Sequence, residues 1–326
     1  MGIASTLAMI VTKADLELHL EELRREVRDP RLGLYGPGTI SWKIGRESIV
    51  FLGGGRAALL QLSHPYVAHA IEQHSRTKID LVGRFQRTFL NVYSMVFGDL
   101  DHAFRSARRV HAFHSTVHGT ITEDVGAFRK GAPYHANDEE ALLWVHATLV
   151  DTALLVFDRC VRRLSEAEKD QYWRESHRFA SLFGISERVL PRRHADFRAY
   201  FDGMLDSDVI VAGRPAREMA GFLLRAPTQL HVPAMHAYRL ITASLLPKRL
   251  RDELGIPIEK HEEILARALI QGSGAAYRML PRRIRYVPAY VEAKSRLDHR
   301  ESPDRFGRAI EKLVLRWLAP PRKTAS

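Results

Sequence analysis

The chain has 326 residues, of which 45% are hydrophobic and 27% charged, a composition that excludes a disordered chain and supports a sizeable core. The formal net charge of +11 favours contact with anionic surfaces, but no long basic tract indicates specific nucleic-acid binding. The single cysteine, Cys160, excludes an intramolecular disulfide and favours a reducing, cytoplasmic setting.

The N-terminal part of the chain predicts helices separated by turns. TKADLELHLEELRREV has an amphipathic pattern, with Thr12 and Asp15 in capping-box register, and DPRLGLYGPGTISWKIG predicts a loop. Gly53–Gly55 match neither nucleotide-binding glycine motif, so they predict close packing or a turn. Pro65 is expected in the first turn of the next helix or at a kink.

Further helices follow along the chain. Two are expected on either side of Gly98, the second ending at Gly119, before a polar loop. A long apolar helix should begin after Asn137 or Asp138, and a Ser165 capping box should open the next helix. The other predicted helices lie around 193–206, 214–225, 231–246, 259–276 and 303–317. Strand-like alternation is nearly absent, so we predict an all-α globular domain with a buried central helix.

The stretch ARRVHAFHSTVHG contains His111, His114 and His118 at spacings of three and four residues. On a continuous helix these spacings place all three side chains on one face. Zinc or di-iron binding would need more ligands nearby, and neither an HExxH motif nor paired ExxH motifs occur. A haem needs one neutral imidazole in an apolar setting, which Val110 and Phe113 suit better. The alternative is a plain polar helix face.

Two other places in the sequence are candidates for chemistry. In RFQRT, Arg84 and Thr88 share a helix face, where a guanidinium and a hydroxyl can bind a carboxylate or a haem propionate. The competing interpretation is a surface arginine beside an ordinary threonine. In WVHATLVDT, His146 and Asp151 interrupt an apolar helix. A buried imidazole must be hydrogen-bonded or bound to something, so His146 is a ligand, a supporting group or a satisfied core histidine.

Several segments, in this order, resemble the MpaB and rubber oxygenase family. They are GGGRAALLQLSHPYVAHAIEQHS, RFQRTFLNVYSMVFGD, RRVHAFHSTVHG and PYHANDEEALLWVHATLVDTALLVFDRC, followed by YFDGMLDS and TASLLPKRLRDELG. The resemblance runs from about residue 40 to about residue 275. Each motif is weak by itself, and the shared order makes the resemblance fairly specific.

The resemblance implies an all-α fold that encloses a b-type haem. Matching the Arg-xxx-Thr motif of the rubber-cleaving members implies that Arg84 and Thr88 line the haem pocket and that His114 is the axial iron ligand. His146 is a further candidate for the cofactor pocket. Those members also carry a glutamate before the motif as a candidate base, but the corresponding position here is Ala68, and the nearest carboxylate is Glu72.

The leading hypothesis is therefore a haem-dependent oxygenase that uses O2 on a small apolar, unsaturated substrate, with an electron donor that the sequence does not identify. The alternatives are a non-catalytic haem-binding or redox-sensing protein, a histidine-liganded non-haem metal protein, and a metal-free protein that docks on acidic partners. Peripheral contact with anionic surfaces fits the net charge.

We divide the chain into three parts on this basis. Residues 1–38 are expected to form an N-terminal helix and loop, and residues 39–276 the haem-binding, oxygenase-like domain. Residues 277–326 are expected to form a basic extension that packs on, or trails, the same domain.

Overall fold

The computed structural model describes residues 9–75, 81–300 and 302–318, except for the side chains of 81–87, 89 and 315–318. Over these residues the chain forms sixteen α-helices, three short 3₁₀ helices and one two-stranded sheet, which confirms the all-α prediction.

The α-helices are α1 (Lys13–Glu26), α2 (Ile40–Gly45), α3 (Gly54–Leu62), α4 (Pro65–His74), α5 (Leu81–Phe97), α6 (Leu100–His114), α7 (Glu139–Cys160), α8 (Glu166–Ser181), α9 (His194–Asp206), α10 (Arg214–Leu223), α11 (Val232–Ser244), α12 (Lys248–Glu253), α13 (Lys260–Met279), α14 (Arg282–Arg285), α15 (Pro288–Leu297) and α16 (Arg305–Leu318). The 3₁₀ helices are Pro30–Leu32, Ser48–Gly53 and Gln229–His231. The strands β1 (His118–Thr120) and β2 (Pro133–His135) pair antiparallel, with Gly119 opposite Tyr134.

Helix α7 lies at the centre of the fold, with 16 of its 22 residues buried. The Asp138 carboxylate caps its first turn by accepting a hydrogen bond from the Ala141 amide at 2.9 Å, one of the two caps predicted. Within the described residues, α7 is the helix whose length and composition would allow it to cross a membrane, and 78% of that apolar window is buried inside the protein. Such burial is typical of a core helix, which confirms the predicted central helix.

The glycine run Gly53–Gly55 lets the start of α3 approach two other helices closely. A Cβ on Gly53 would lie 2.8 Å from Val156 Cγ2, and a Cβ on Gly55 would lie 3.0 Å from both Thr242 Cγ2 and the Tyr238 hydroxyl. Real Cβ atoms almost never come this close to their neighbours, so the run serves close packing, as predicted.

Several local signals mark helix starts correctly. Capping boxes open α1 at Thr12 and α8 at Ser165, and Pro65 occupies the first turn of α4. The prediction of a loop through the glycine- and proline-rich segment is wrong at its end, because α2 forms there. The Thr39 hydroxyl caps α2 by accepting from the Trp42 amide, a cap that the neighbouring glycines obscure in the sequence.

The predicted helix ending at Gly119 is wrong at its C-terminus, since α6 stops at His114. The Ser115 hydroxyl donates to the His111 carbonyl at 2.9 Å, and the Thr116 hydroxyl donates to the Phe113 carbonyl at 2.7 Å. These side chains satisfy carbonyls at the end of the helix and so favour termination. The segment predicted as a polar loop, residues 120–138, is largely irregular, but it contains strand β2 and the last residue of β1.

Elements outside residues 39–276 pack on the same core. Three leucines of α1 and Ala293 of α15 are buried beside α6. The leucines are Leu16, Leu20 and Leu23. At the C-terminal end, the buried Glu47 carboxylate accepts hydrogen bonds from Arg285 and from the Tyr277 hydroxyl, each at 3.0 Å.

Candidate functional site

Helices α5 and α6 form a tight helical hairpin that carries most of the predicted site residues. The connection is Gly98–Asp99, where the Asp99 carboxylate caps α6 by accepting from the His102 amide at 2.8 Å. Farther from the turn, the Arg109 guanidinium lies 3.5 Å from the Asn91 amide oxygen. The two helices therefore run antiparallel side by side.

In the hairpin, Arg84 and His114 lie at the same height, meaning the same distance from the turn measured along the helices. At about 1.5 Å per residue, both positions lie roughly 20 Å from the turn, one on each helix. Thr88 is one helical turn nearer the connection and is exposed. The side chain of Arg84 lies outside the described residues, so its pairing with Thr88 stays a prediction.

His114 lies in the last turn of α6, and its ring is partly exposed. The adjacent Phe113 ring lies 6.3 Å from it and is 61% exposed. An exposed aromatic ring beside an imidazole provides an apolar surface that a flat apolar group could cover.

The other two histidines of the predicted stripe have structural surroundings. His111 is buried, and its Nε2 lies 3.0 Å from the Val11 carbonyl, which ties the N-terminal segment to α6. His118 lies on strand β1, beyond the end of α6. The prediction that all three share one helix face is therefore wrong, because the helix ends at the second of them.

His118 instead faces His135 across the sheet. Their rings are parallel, with centroids 6.2 Å apart, and the His118 carbonyl lies 2.9 Å from Nε2 of His74. The pKa of His135 is lowered by burial and further by the neighbouring His118 and His111. No three histidine, cysteine or carboxylate side chains in the described ranges are arranged to hold a metal ion.

His146 lies deep in the core on α7, where it is 3% exposed. Its ring packs between Trp173 and Phe179, and its Nε2 lies 3.3 Å from the Ser176 hydroxyl. Burial, with the nearby His177, lowers the pKa of His146 to about 3, so the ring is neutral. Its Nδ1 has no hydrogen-bond partner among the described residues. The packing favours a core histidine, and a role in binding a cofactor stays a prediction.

A buried ionic network near His146 is the main feature that the sequence does not reveal. Asp151 contacts both Arg56 of α3 and Arg198 of α9. In the sequence, the isolated carboxylate of Asp151 in an apolar helix is the one signal that predicts a buried cationic partner. Its partners come from helices distant in the sequence.

The carboxylate nearest the expected position of a base is already paired. Glu72 Oε1 lies 2.8 Å from an Arg214 nitrogen, and Arg214 also bonds Glu218. Ala68, at the position that corresponds to the family's glutamate, is 3% exposed. The family's glutamate therefore has no counterpart at position 68, and the Glu72 carboxylate is held in an ion pair.

Two of the surface clefts formed by the described residues lie away from the predicted site residues. One, of about 360 Å³, lies between α1 and α6 and is lined mainly by Glu17, Arg24, Phe104 and Arg108. The other, of about 430 Å³, lies beside α15 and is lined by Asp99, His102, Glu292, Arg296, Ser302 and Pro303. Neither cleft contains a predicted site residue.

Comparison with known proteins gives one informative match. Neither the curated proteins nor the solved structures include a match to this chain. The family model described as "ER-bound oxygenase mpaB/B'/Rubber oxygenase, catalytic domain" matches residues 42–278, which is most of the sequence and runs from within α2 to near the end of α13. The chain therefore belongs to the mpaB and rubber oxygenase catalytic-domain family.

Proposed function

We propose that this chain is a haem-dependent oxygenase that uses O2 to oxidise a small apolar, unsaturated substrate. The observation that carries the proposal is the position of His114, at the same height as Arg84 on the neighbouring helix, in a chain of an oxygenase family. An intracellular, cytoplasmic location and an external electron donor complete the proposal.

The residues present fit a haem at the open end of the hairpin. One imidazole suffices for the proximal side of a b-type haem, and the His114 ring is partly exposed rather than sealed in the core. Phe113 offers an exposed apolar ring beside it. A guanidinium at position 84 has the chemistry to hold a propionate, since arginine forms strong, bidentate bonds with carboxylates.

Each residue has a separate task in the proposal. His114 would hold the iron through one ring nitrogen, Arg84 would neutralise a propionate, and Thr88 would donate a hydrogen bond at the edge of the group. Haem, when bound, supplies the activation of O2, which protein side chains cannot perform. The protein would position the substrate beside the haem.

The direct test is the visible spectrum and metal content of protein produced with sufficient haem. We expect a Soret band and iron in the wild type, and loss of both in His114→Ala, with partial recovery of the band on adding imidazole. His111→Ala and His118→Ala serve as matched controls and should keep the band. His111→Ala removes the contact with the Val11 carbonyl, so circular dichroism accompanies each spectrum to check folding.

Other outcomes point to the alternatives. Bound haem without O2 consumption in the presence of an alkene and a reductant would mark a non-catalytic haem or redox-sensing protein. Equal loss of iron in all three histidine variants, without porphyrin, would favour a multi-histidine metal site. Zinc, or no metal at all in folded protein, would overturn the proposal.

A further inference from the structure

Helix α16 is attached to the protein by its polar face. Arg308 forms two hydrogen bonds with the Glu292 carboxylate of α15, at 2.6 and 2.9 Å, and a third with Glu311 at 2.9 Å. A Cβ on the buried Gly307 would lie 3.1 Å from Pro288 Cγ, so the helix backbone lies against the start of α15. Gly307 and Arg308 therefore lie on the side of α16 that contacts α15.

A strip of apolar side chains on α16, adjacent to the side that contacts α15, is largely exposed. Phe306, Leu313 and Val314 are 54%, 68% and 49% exposed, and their spacings of seven and eight residues place them on one side of the helix. Ile310 lies on the same side of the helix and is partly buried. A helix of a water-soluble domain normally buries most of its apolar side chains, so the exposure of the other three is unusual.

Basic residues accompany the exposed apolar face. Arg305 and Lys312 of α16 are both exposed. The segment that leads to Pro288 repeats the combination, since Met279 is 86% exposed and Arg282 and Arg283 of α14 are also exposed. An apolar face with basic residues beside it is typical of a helix that lies in the surface of a membrane, where cations meet anionic headgroups.

We propose that α16 docks the protein on a bilayer surface that contains anionic lipids. Phe306, Leu313 and Val314 would enter the boundary between headgroups and acyl chains, and Arg305 and Lys312 would contact the headgroups. The net charge of +11 adds a long-range attraction to the same surface. This docking requires no particular chemistry at His114.

The test is co-sedimentation of the full-length protein with vesicles of phosphatidylcholine, with and without about one third phosphatidylserine. We expect binding to the anionic vesicles, weakened by added salt because the Debye length shortens. Leu313→Glu should reduce the partition coefficient at least about tenfold, because it places a charge in the apolar face. Lys312→Glu should reduce it roughly tenfold, because it reverses a charge at the surface.

Two matched variants control for general effects. Leu18→Glu alters a leucine of α1 that is 60% exposed, and Lys43→Glu changes the net charge by the same amount as Lys312→Glu. Both should bind within about twofold of the wild type if α16 is the docking element. Absence of wild-type binding to anionic vesicles, or equal losses in the controls, would overturn the proposal. So would a Leu313→Glu variant that turns a dimer into a monomer while lipid binding persists, since the face would then join two copies of the chain.

Discussion

Arg56 and Asp151 form an ion pair inside the core, with Nη2 of Arg56 lying 2.6 Å from Oδ2 of Asp151 and both side chains less than a tenth exposed. Arg56 also donates to the Thr152 hydroxyl at 2.6 Å and to the Leu245 carbonyl at 2.8 Å. Arg198, which is 38% exposed, contacts the other oxygen of Asp151. The network thus joins α3, α7 and α9 through charged groups that bind one another in place of water.

Removing the buried carboxylate should be costly. Asp151→Ala leaves the Arg56 cation in the core without a counter-charge, so we expect the free energy of unfolding to fall by about 3–5 kcal/mol. Urea denaturation followed by circular dichroism measures this loss. Asp202→Ala is the matched control, because Asp202 pairs with Arg198 at a site where its side chain is 56% exposed, and should cost less than about 1 kcal/mol. Similar small losses in both variants would contradict a structural role for the network.

The close approach at the glycine run gives a second prediction. Gly55→Ala forces a methyl group against Thr242 and Tyr238, so it should lower stability by about 1–3 kcal/mol. Gly272→Ala in α13 is the control, since a Cβ there meets no atom within 4 Å. That variant should gain about 0.4–1 kcal/mol, because alanine restricts the unfolded chain and favours helix. Thermal unfolding of both variants distinguishes crowding from helix propensity.

Buried histidines should make the fold sensitive to acid. The pKa of His146 falls from 6.5 to about 3 on folding because burial disfavours the charged ring. Between these values the unfolded chain binds a proton that the folded chain does not, so stability falls as the pH falls through this window. This one residue should account for a loss of about 2 kcal/mol between pH 7 and pH 5.

His146→Phe should remove that share of the pH dependence. We expect its stability difference between pH 7 and pH 5 to be smaller than that of the wild type by about the share assigned to His146. Urea titrations at the two pH values give the comparison. The same variant tests the cofactor role, since loss of the Soret band in folded His146→Phe would make His146 the ligand in place of His114.

The proposed haem site gives a fourth prediction, at Arg84. Arg84→Ala should weaken haem retention by roughly ten- to a hundredfold, the equivalent of one charge-assisted hydrogen bond of about 1.5–3 kcal/mol. Transfer of haem to apomyoglobin measures retention without any assay of turnover. Arg105→Ala, an exposed arginine on α6, should leave retention unchanged. Equal retention in both variants would show that Arg84 does not contact the group.

Local patterns in the sequence predict the helices well and their ends less well. The capping boxes at Thr12 and Ser165 and the cap at Asp138 depend on neighbours in the chain, and the structure confirms them. The end of α6 also involves a residue farther along the chain, because the side-chain amide of Asn137 donates a hydrogen bond to the Ser115 hydroxyl. The spacing of the histidines does not indicate this contact. Spacing alone therefore predicts a three-histidine stripe that the chain does not form.

The candidate site likewise contains some residues that the sequence identifies and others that only the structure identifies. His114 and Arg84 can be selected from the sequence because family motifs surround them, and their common height follows from the hairpin. The partners of Asp151 cannot be selected, since 49 lysines and arginines could in principle approach it. Only the packing of α3 and α9 against α7 identifies Arg56 and Arg198.

The burial of α1 has a practical consequence for anyone who shortens the chain. Leu16, Leu20 and Leu23 fill a cluster that also contains Trp42 and Phe104, yet α1 precedes the family match at residue 42. A fragment cut to residues 42–278 would expose that apolar surface to water and should aggregate or unfold. We therefore expect the smallest segment able to fold alone to be longer than the segment that matches the family.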